Sequence, residues 1–313
     1  MQTHRHIHDL PEDVRGAAIA VGNFDGVHRG HRAVIGEAGR IAKSLGVPWA
    51  VLTFEPHPRN VFAPQTPPFR LTPFHAKARE IAGLGVDHLV VQRFSVDFSR
   101  IEAEDFVRRI VIDGLGAKHV VCGYDFVFGH DRRGDGEMLL HMGKDNGFGF
   151  TCVSQVRDGE NEGYSSTRAR NCLRNADPRG ATHVLGRPFE IEGRVRTGDR
   201  RGRTIGFPTA NLALNSYVRP ANGVYAVRVG MEENGETVWR PGVANIGHRP
   251  TFAGADVILE AHLFDFAGDL YGRRVRVALV DFLRPERKFD GIAELKAQIA
   301  EDCEQARIIL VRA

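Results

Sequence analysis

The stretch Val21 to Ile35, VGNFDGVHRGHRAVI, decides the reading of this 313-residue chain. It continues the apolar run AAIAV from Ala17, which has the length and composition of a buried strand, and leads into residues 31–45, where apolar residues recur at helical spacing. Glycines at 22, 26 and 30 fill the crossing from strand to helix. At the carboxyl end of a first strand, such a turn lets backbone N–H groups approach a phosphate, and the following helix offers its positive N-terminus. His28 and His31, three apart, project from one side of that first helical turn. Two imidazoles there can donate hydrogen bonds to a triphosphate and stabilise charge building on its α-phosphate. The pair could also bind zinc, although no further Cys or carboxylate follows at ligand spacing. There is no GxxxxGK[ST], and Gly114 and Gly116 precede a strand, so neither a P-loop nor a dinucleotide fingerprint is present.

Working outward, further short apolar runs begin at Trp49, His88, Lys118 and Phe150. Helical spacing fills residues 73–84, 103–112 and 137–144, and Gly46, Gly85, Gly116 and Gly147 supply stop signals. Strand alternating with helix implies right-handed crossovers, hence an α/β doubly wound parallel sheet. After a helical segment at 166–175, the DPRG stretch from Asp177 reads as punctuation and the pattern changes. From Pro188 the segments alternate and are β-branched, with Asn234-Gly235 as a hairpin turn. Six or so short strands and one helix at 291–311 predict a small closed antiparallel β-barrel with a C-terminal helix. The expected domains are 1–184 and 185–313.

Composition agrees with two ordinary cores: 42% hydrophobic and 26% charged residues exclude disorder and coiled coil. No apolar run approaches the ~20 residues of a membrane span, and the N-terminus does not read as a secretory signal, so the expected location is the cytoplasm. With 42 basic and 39 acidic side chains, a nucleic-acid partner would need a local patch. The four cysteines include no CxxC, which speaks against a zinc cluster or a disulfide framework. Cys122 and Cys152 sit in apolar runs and read as inert core thiols, and His4, His6 and His8 read as a mobile tail.

Three more strings fall at the ligand-binding edge of the expected sheet: TFEPHP from Thr53, CGYDFVFG from Cys122, and SSTRAR from Ser165. The first and third have a plain structural reading as well. Pro56 and Pro58 shape a loop, Ser166 caps a helix, and Arg168 lies solvated on it.

In the second half, GDRRGRTIGFPTANL (198–212) places glycines and arginines before Pro208-Thr209-Ala210-Asn211. Glycines allow close approach to a nucleotide, while Thr209 and Asn211, two apart on an extended segment, can offer oxygens on one side. Such oxygens suit Mg²⁺, and a proline turn with an Asx hydrogen bond is the other reading. Glu260 stands alone among apolar residues in a predicted strand. It is either exposed or placed to take the proton of an attacking hydroxyl.

His28-Arg29-Gly30-His31 resembles the HxGH signature of the nucleotidylyltransferase superfamily; class I aminoacyl-tRNA synthetases share it, but no KMSKS-like loop is present. With the strings above, and with GVANIGHRPTF (242–252) and the Arg284-Pro285-Glu286 segment, the chain resembles the bacterial bifunctional riboflavin kinase/FAD synthetase family over residues 17–311. The resemblance implies phosphorylation of riboflavin to FMN and adenylylation of FMN to FAD with release of pyrophosphate. It implies His28, His31, Arg168 and Glu260 as catalytic residues. Gly22, Asn23, Phe24, Asp25, Gly30, Asp125, Ser166 and Thr167 would bind ATP or flavin in the first domain. Gly198, Gly202, Arg203, Gly206, Pro208 and Arg284 would do so in the second, with Thr209 and Asn211 on Mg²⁺ brought with ATP. Riboflavin, FMN and ATP are then the partners, without nucleic acid or membrane, and the pattern specifies no oligomeric state. Ala169 and Ala261 depart from that family's usual residues. The rivals are another HxGH nucleotidylyltransferase with an appended nucleic-acid-binding barrel, and an RNA-binding protein using the arginines at 200–203.

Overall fold

The computed structural model describes residues 1–7, 10–196, 206–251 and 254–312, in two compact units. The first comprises Met1–Pro67 and Thr72–Ser165; the second comprises Pro68–Leu71 and Ser166–Ala313.

The first unit holds β1 (Gln2–His4), β2 (Ala18–Val21), α1 (Arg29–Leu45), β3 (Trp49–Glu55), α2 (Pro58–Phe62), α3 (Phe74–Ala82), β4 (His88–Arg93), α4 (Val96–Ser99), α5 (Ala103–Phe106), β5 (His119–Gly123), α6 (Gly136–Asn146) and β6 (Gly149–Val153). The six strands form a parallel sheet in the order β1-β4-β3-β2-β5-β6. Pairing runs outward in opposite directions from β2, so the β2/β5 junction is the switch point at which α/β sheets open a crevice for ligands. Alternation along β2 fills both sides: Ala18 and Ala20 join one buried cluster with Val34, Ile35 and Ala38 of α1. Ile19 and Val21 join the other with Phe106, Val107 and Ile110. Gly46 and Gly147 end α1 and α6 in the left-handed conformation (φ 64° and 75°).

Three expectations are corrected in this unit. The N-terminal histidine stretch is no loose tail. Gln2–His4 adds a parallel strand to the edge of β4, and His4 Nε2 lies 3.3 Å from His88 Nδ1. Ile7 is buried and anchors the segment, His6 is exposed, and His8 lies outside the described residues. The helix expected at 103–112 widens after Phe106 into a π-helix, Val107–Gly114, which turns Val107, Ile110 and Val111 into the core. Cys122 is buried, and burial first, then neighbouring Cys152, pushes its thiol up to about 12. Cys152, opposite it in register, is exposed because β6 is the edge strand.

The second unit holds α7 (Ser166–Arg174), α8 (Pro178–Leu185), β7 (Phe189–Arg194), β8 (Ala210–Ala213), β9 (Gly223–Glu233), β10 (Glu236–Thr251), β11 (Gly254–Leu263), β12 (Arg274–Arg284) and α9 (Ile292–Arg312). The DPRG stretch does more than punctuate. Asp177 Oδ1 accepts the Gly180 N–H at 2.7 Å and Pro178 opens the helix, which makes this an N-terminal cap for α8.

The six strands pair antiparallel in the order β7-β12-β9-β10-β11-β8. Asn234 and Gly235, both at positive φ (52° and 86°), make the β9–β10 hairpin. The sheet curls into a small barrel around Ile191, Leu212, Val227, Val229, Ile246, Leu259, Val277 and Leu279, all fully buried. One bridge joins its outer strands beyond β7, where the Arg196 N–H donates to the Asn211 carbonyl at 2.9 Å. Helix α9 covers the β9–β10 side through Ala306 and Leu310 against Val224, Ala226, Val243 and Phe264. Among the described residues, no helix is long and apolar enough to cross a membrane.

Candidate active sites

In the first unit the chain leaves β2 through a turn with Phe24, Gly26 and Val27 at φ 50°, 90° and 42°. Positive φ at non-glycine residues is costly and persists only where the surroundings over-determine it. Here Asp25, 2% exposed, accepts the Thr72 N–H on Oδ1 at 3.0 Å, and the Gly26 N–H donates to Thr72 Oγ1 at 2.7 Å. A Cβ on Gly22 would stand 2.9 Å from the Phe24 ring, which would have to shift to admit it. From Val21 to His28, Asn23 alone is exposed.

The turn delivers His28 as the N-cap of α1. Its Nδ1 accepts the His31 N–H at 3.3 Å, which leaves Nε2 to carry the ring proton of the neutral form. The two imidazoles stack with centroids 3.6 Å apart, and Phe24 meets His31 edge-on at 5.3 Å. A Cβ on Gly30 would stand 3.1 Å from the His28 ring and 3.4 Å from the Tyr164 carbonyl. Arg29 lies 5.9 Å over the Tyr164 ring. Both histidines thus stand at the positive end of a 17-residue helix, at the sheet's switch point.

Asp125 is exposed on the turn after β5, and Oδ1 lies 3.2 Å from where a Cβ on Gly123 would be. His57 caps α2 through the Arg59 N–H at 3.2 Å. Ser166 and Arg168 are half-buried and Thr167 is exposed in the first turn of α7, which belongs to the second unit.

Sequence reasoning missed an aromatic cluster at the same sheet edge. Phe54, at the end of β3, lies 6.1 to 6.3 Å from Phe94, Phe98 and Phe106. Phe62 meets Phe94 edge-on at 5.7 Å and is itself 66% exposed. Phe106 continues to Phe128 at 5.0 Å, and Phe128 stacks with Phe126. Seven phenylalanines scattered from 54 to 128 show no periodicity, so only the fold reveals the track.

In the second unit, strand register builds the site. Asn211 of β8, Glu260 of β11 and Asn245 of β10 stand opposite one another in one cross-strand row, and Glu260 is exposed. Side chains so paired have Cβ atoms about 5 Å apart. The Asn211 Nδ2 donates to the Thr209 carbonyl at 3.4 Å, whereas its Oδ1 is buried with no hydrogen-bond partner among the described residues. A buried acceptor left unpaired is costly unless a ligand completes it. On the far side of the row, Asn245 Nδ2 donates to Glu286 Oε1 at 3.1 Å; a Cβ on Gly247 would occupy that carboxylate's place, 2.2 Å away. His262 Nδ1 donates to the Pro208 carbonyl at 2.9 Å. Gly206 has φ 93°, while Gly198, Gly202 and Arg203 lie outside the described residues. Arg284 forms a fork on buried Asp302 of α9, Nε to Oδ1 at 2.8 Å and Nη2 to Oδ2 at 2.7 Å.

A strained, glycine-lined turn at a helix N-terminus in one unit, and an acid–amide row on a barrel in the other, are the arrangements expected of a transferase with two phosphate-handling modules. Comparison with known proteins carries this to a family. The FAD synthetase family model matches residues 10–168 and the riboflavin kinase model matches residues 185–310. The chain is 45% identical to a bifunctional riboflavin kinase/FMN adenylyltransferase from Pseudomonas fluorescens, covering 99% of this chain and 98% of the relative. It is 43% identical to the protein of the same description from Escherichia coli K12, covering 96% of each. A crystal structure described as a macrolide-efflux protein from Streptococcus pneumoniae superposes with a TM-score of 0.85 at 31% identity, covering 98% of this chain and 99% of that one. The chain belongs to the bifunctional riboflavin kinase/FMN adenylyltransferase family. The kinase match accounts for the second unit's barrel, for which sequence alone left a nucleic-acid-binding role open.

Proposed function

We infer that this chain makes FAD from riboflavin in two ATP-consuming steps, acting as riboflavin kinase and as FMN adenylyltransferase. The observation that carries this reading is full-length similarity to relatives named for both activities, with one family model on each half.

We assign the kinase step to residues 185–313. The ribityl 5′-hydroxyl of riboflavin attacks the γ-phosphorus of ATP, the O–H proton passes to Glu260, and ADP leaves. Glu260's exposed place within the polar row supports this role. The unpaired Asn211 Oδ1 fits a hard cation, and with Thr209 it would hold Mg²⁺. Bound with ATP, Mg²⁺ supplies charge neutralisation on the phosphates. Gly206 and Pro208 are assigned to the nucleotide, as Gly198, Gly202 and Arg203 are by resemblance alone, and Arg284 sets the segment beside the flavin.

The adenylyl step belongs to residues 1–184. The FMN phosphate attacks the α-phosphorus of a second ATP and pyrophosphate leaves. A phosphate monoester is already an anionic nucleophile, so alignment and charge stabilisation matter more than a base. His28 and His31 donate to the triphosphate, the Gly22–Asp25 turn and Gly30 give it room, and Asp125 lies beside the nucleotide. At the start of α7, Ser166, Thr167 and Arg168 bind phosphate. The exposed Phe62 on its aromatic cluster supports stacking of the flavin rings. ATP as cosubstrate in both steps supports the cytoplasm as their location.

Purified chain is incubated with riboflavin, ATP and Mg²⁺, and flavins are resolved by chromatography. FMN followed by FAD is expected. Failure to form FMN, or failure to convert supplied FMN to FAD, removes the corresponding half of the reading.

A further inference from the structure

Helix α3 buries Ala76, Lys77 and Ile81. A lysine is almost never fully buried unless paired, yet Lys77 is 0% exposed. Its Nζ lies 2.8 Å from Glu55 Oε1, donates to Thr53 Oγ1 at 2.9 Å and donates to the Asn23 carbonyl at 3.1 Å. Thr53 Oγ1 lies 3.3 Å from that same carbonyl. Thr53 and Glu55, two apart at the end of β3, share one side of the strand. Stability does not explain this arrangement, because a buried ion pair is often no better for folding than an apolar residue of similar volume.

What the ammonium group joins gives the reason for it. Asn23 opens the strained run at Phe24, Gly26 and Val27 that ends in the stacked pair of His28 and His31. Holding its carbonyl fixes the peptide plane at which the chain enters left-handed geometry. Thr72 pins the later half of the same turn through Asp25 and Gly26. Between them, Thr72 and Lys77 hold both halves of the turn, while Asn23 itself stays exposed.

We propose that Lys77 is a positioning residue for the adenylyl-transfer site, holding the Gly22–His28 turn in register for the ATP phosphates by tying it to the end of β3. The inference rests on the adenylyltransferase reading of the first unit. Lys77→Met is made in the full chain, and both conversions are measured on one preparation. For FMN to FAD, kcat/KM for ATP is expected to fall on the order of a hundredfold, with KM for ATP raised, as for a reacting group displaced by about 1 Å. Riboflavin to FMN stays at the wild-type rate. A merely structural lysine would lower kcat through a smaller folded fraction and leave KM for ATP unmoved; that result, or parallel loss of kinase activity, overturns the proposal. Thr53→Val removes one acceptor and keeps the charge pair. It is expected to raise KM for ATP in the same step by about threefold, as the loss of one modest hydrogen bond would. If Lys77→Met yields no soluble protein, an unchanged KM for ATP in Thr53→Val overturns the proposal. Wild-type chain that makes no FAD overturns the functional reading instead. Wild-type FAD synthesis beside an unaltered Lys77→Met overturns this inference alone.

Discussion

The two candidate sites are built on opposite principles. In the parallel sheet, chemistry gathers at the end of a strand, in backbone that is strained and held by Asp25, Thr72 and Lys77. In the antiparallel barrel it lies mid-strand, where the register of β8, β11 and β10 alone aligns Asn211, Glu260 and Asn245. The first site depends on an enforced turn, and the second on unstrained pairing. A substitution in the first should therefore act through the shape of the turn, whereas one in the second should act through the single group removed.

The sharpest test of that contrast is Glu260→Gln, which keeps shape and removes the proposed base. FMN formation is expected to fall about a thousandfold, within the usual range for general-base loss. Conversion of supplied FMN to FAD should stay at the wild-type rate, and chromatographic assay of both products checks this. Next comes His28→Ala, which deletes both the proposed phosphate donor and the cap on the His31 N–H. FAD formation is expected to drop about a hundredfold with kinase activity retained. Equal loss of both products in either variant would erase the division between the sites. Asn211→Ala should raise the Mg²⁺ concentration for half-maximal kinase rate about tenfold, worth one good ligand contact. A magnesium titration of each half-reaction should find the adenylyl step unmoved.

The smallest effect is one of stability in the first unit. Burial, and then the neighbouring His88, hold the His4 pKa below the ordinary histidine value, with Asp13 opposing. The folded chain therefore binds that proton less readily than the unfolded chain. This contribution is complete above the unfolded value of about 6.5 and is lost as pH falls below it. Tm measured from pH 7.5 down to 5.5 should decline, and decline less in His4→Gln.

Much of this architecture was legible because parallel strands are buried on both faces and read as unbroken apolar runs. β2, β3 and β5 were visible for that reason, as were the ends of α1 and α6 at Gly46 and Gly147. The hairpin at Asn234-Gly235 and the strand alternation that follows it announced the barrel. What escaped depended on partners distant in sequence. β1 is three residues long and exists only because β4 offers an edge. Lys77 looks like any surface lysine on a helix, since Thr53 and Asn23 lie 24 and 54 residues away. Asp177-Pro178 carried a readable helix-start signal, but the adjoining Gly180 made the string look like a plain break. The His28 and His31 pair is legible from spacing, whereas their ring stacking and the left-handed backbone at Val27, which no β-branched residue would suggest, are not.

Asn211 serves the barrel with two different oxygens. Its main-chain carbonyl accepts from Arg196 at the seam, and its amide oxygen, buried without a hydrogen-bond partner among the described residues, is the one proposed to face the cation. Sliding β8 by a single residue would put Leu212 opposite Glu260: a leucine carbonyl could still meet Arg196, but the amide oxygen proposed for the cation would be gone. Backbone closure of the barrel and the chemistry proposed for it thus rest on different atoms of one residue, and only the second depends on its being asparagine.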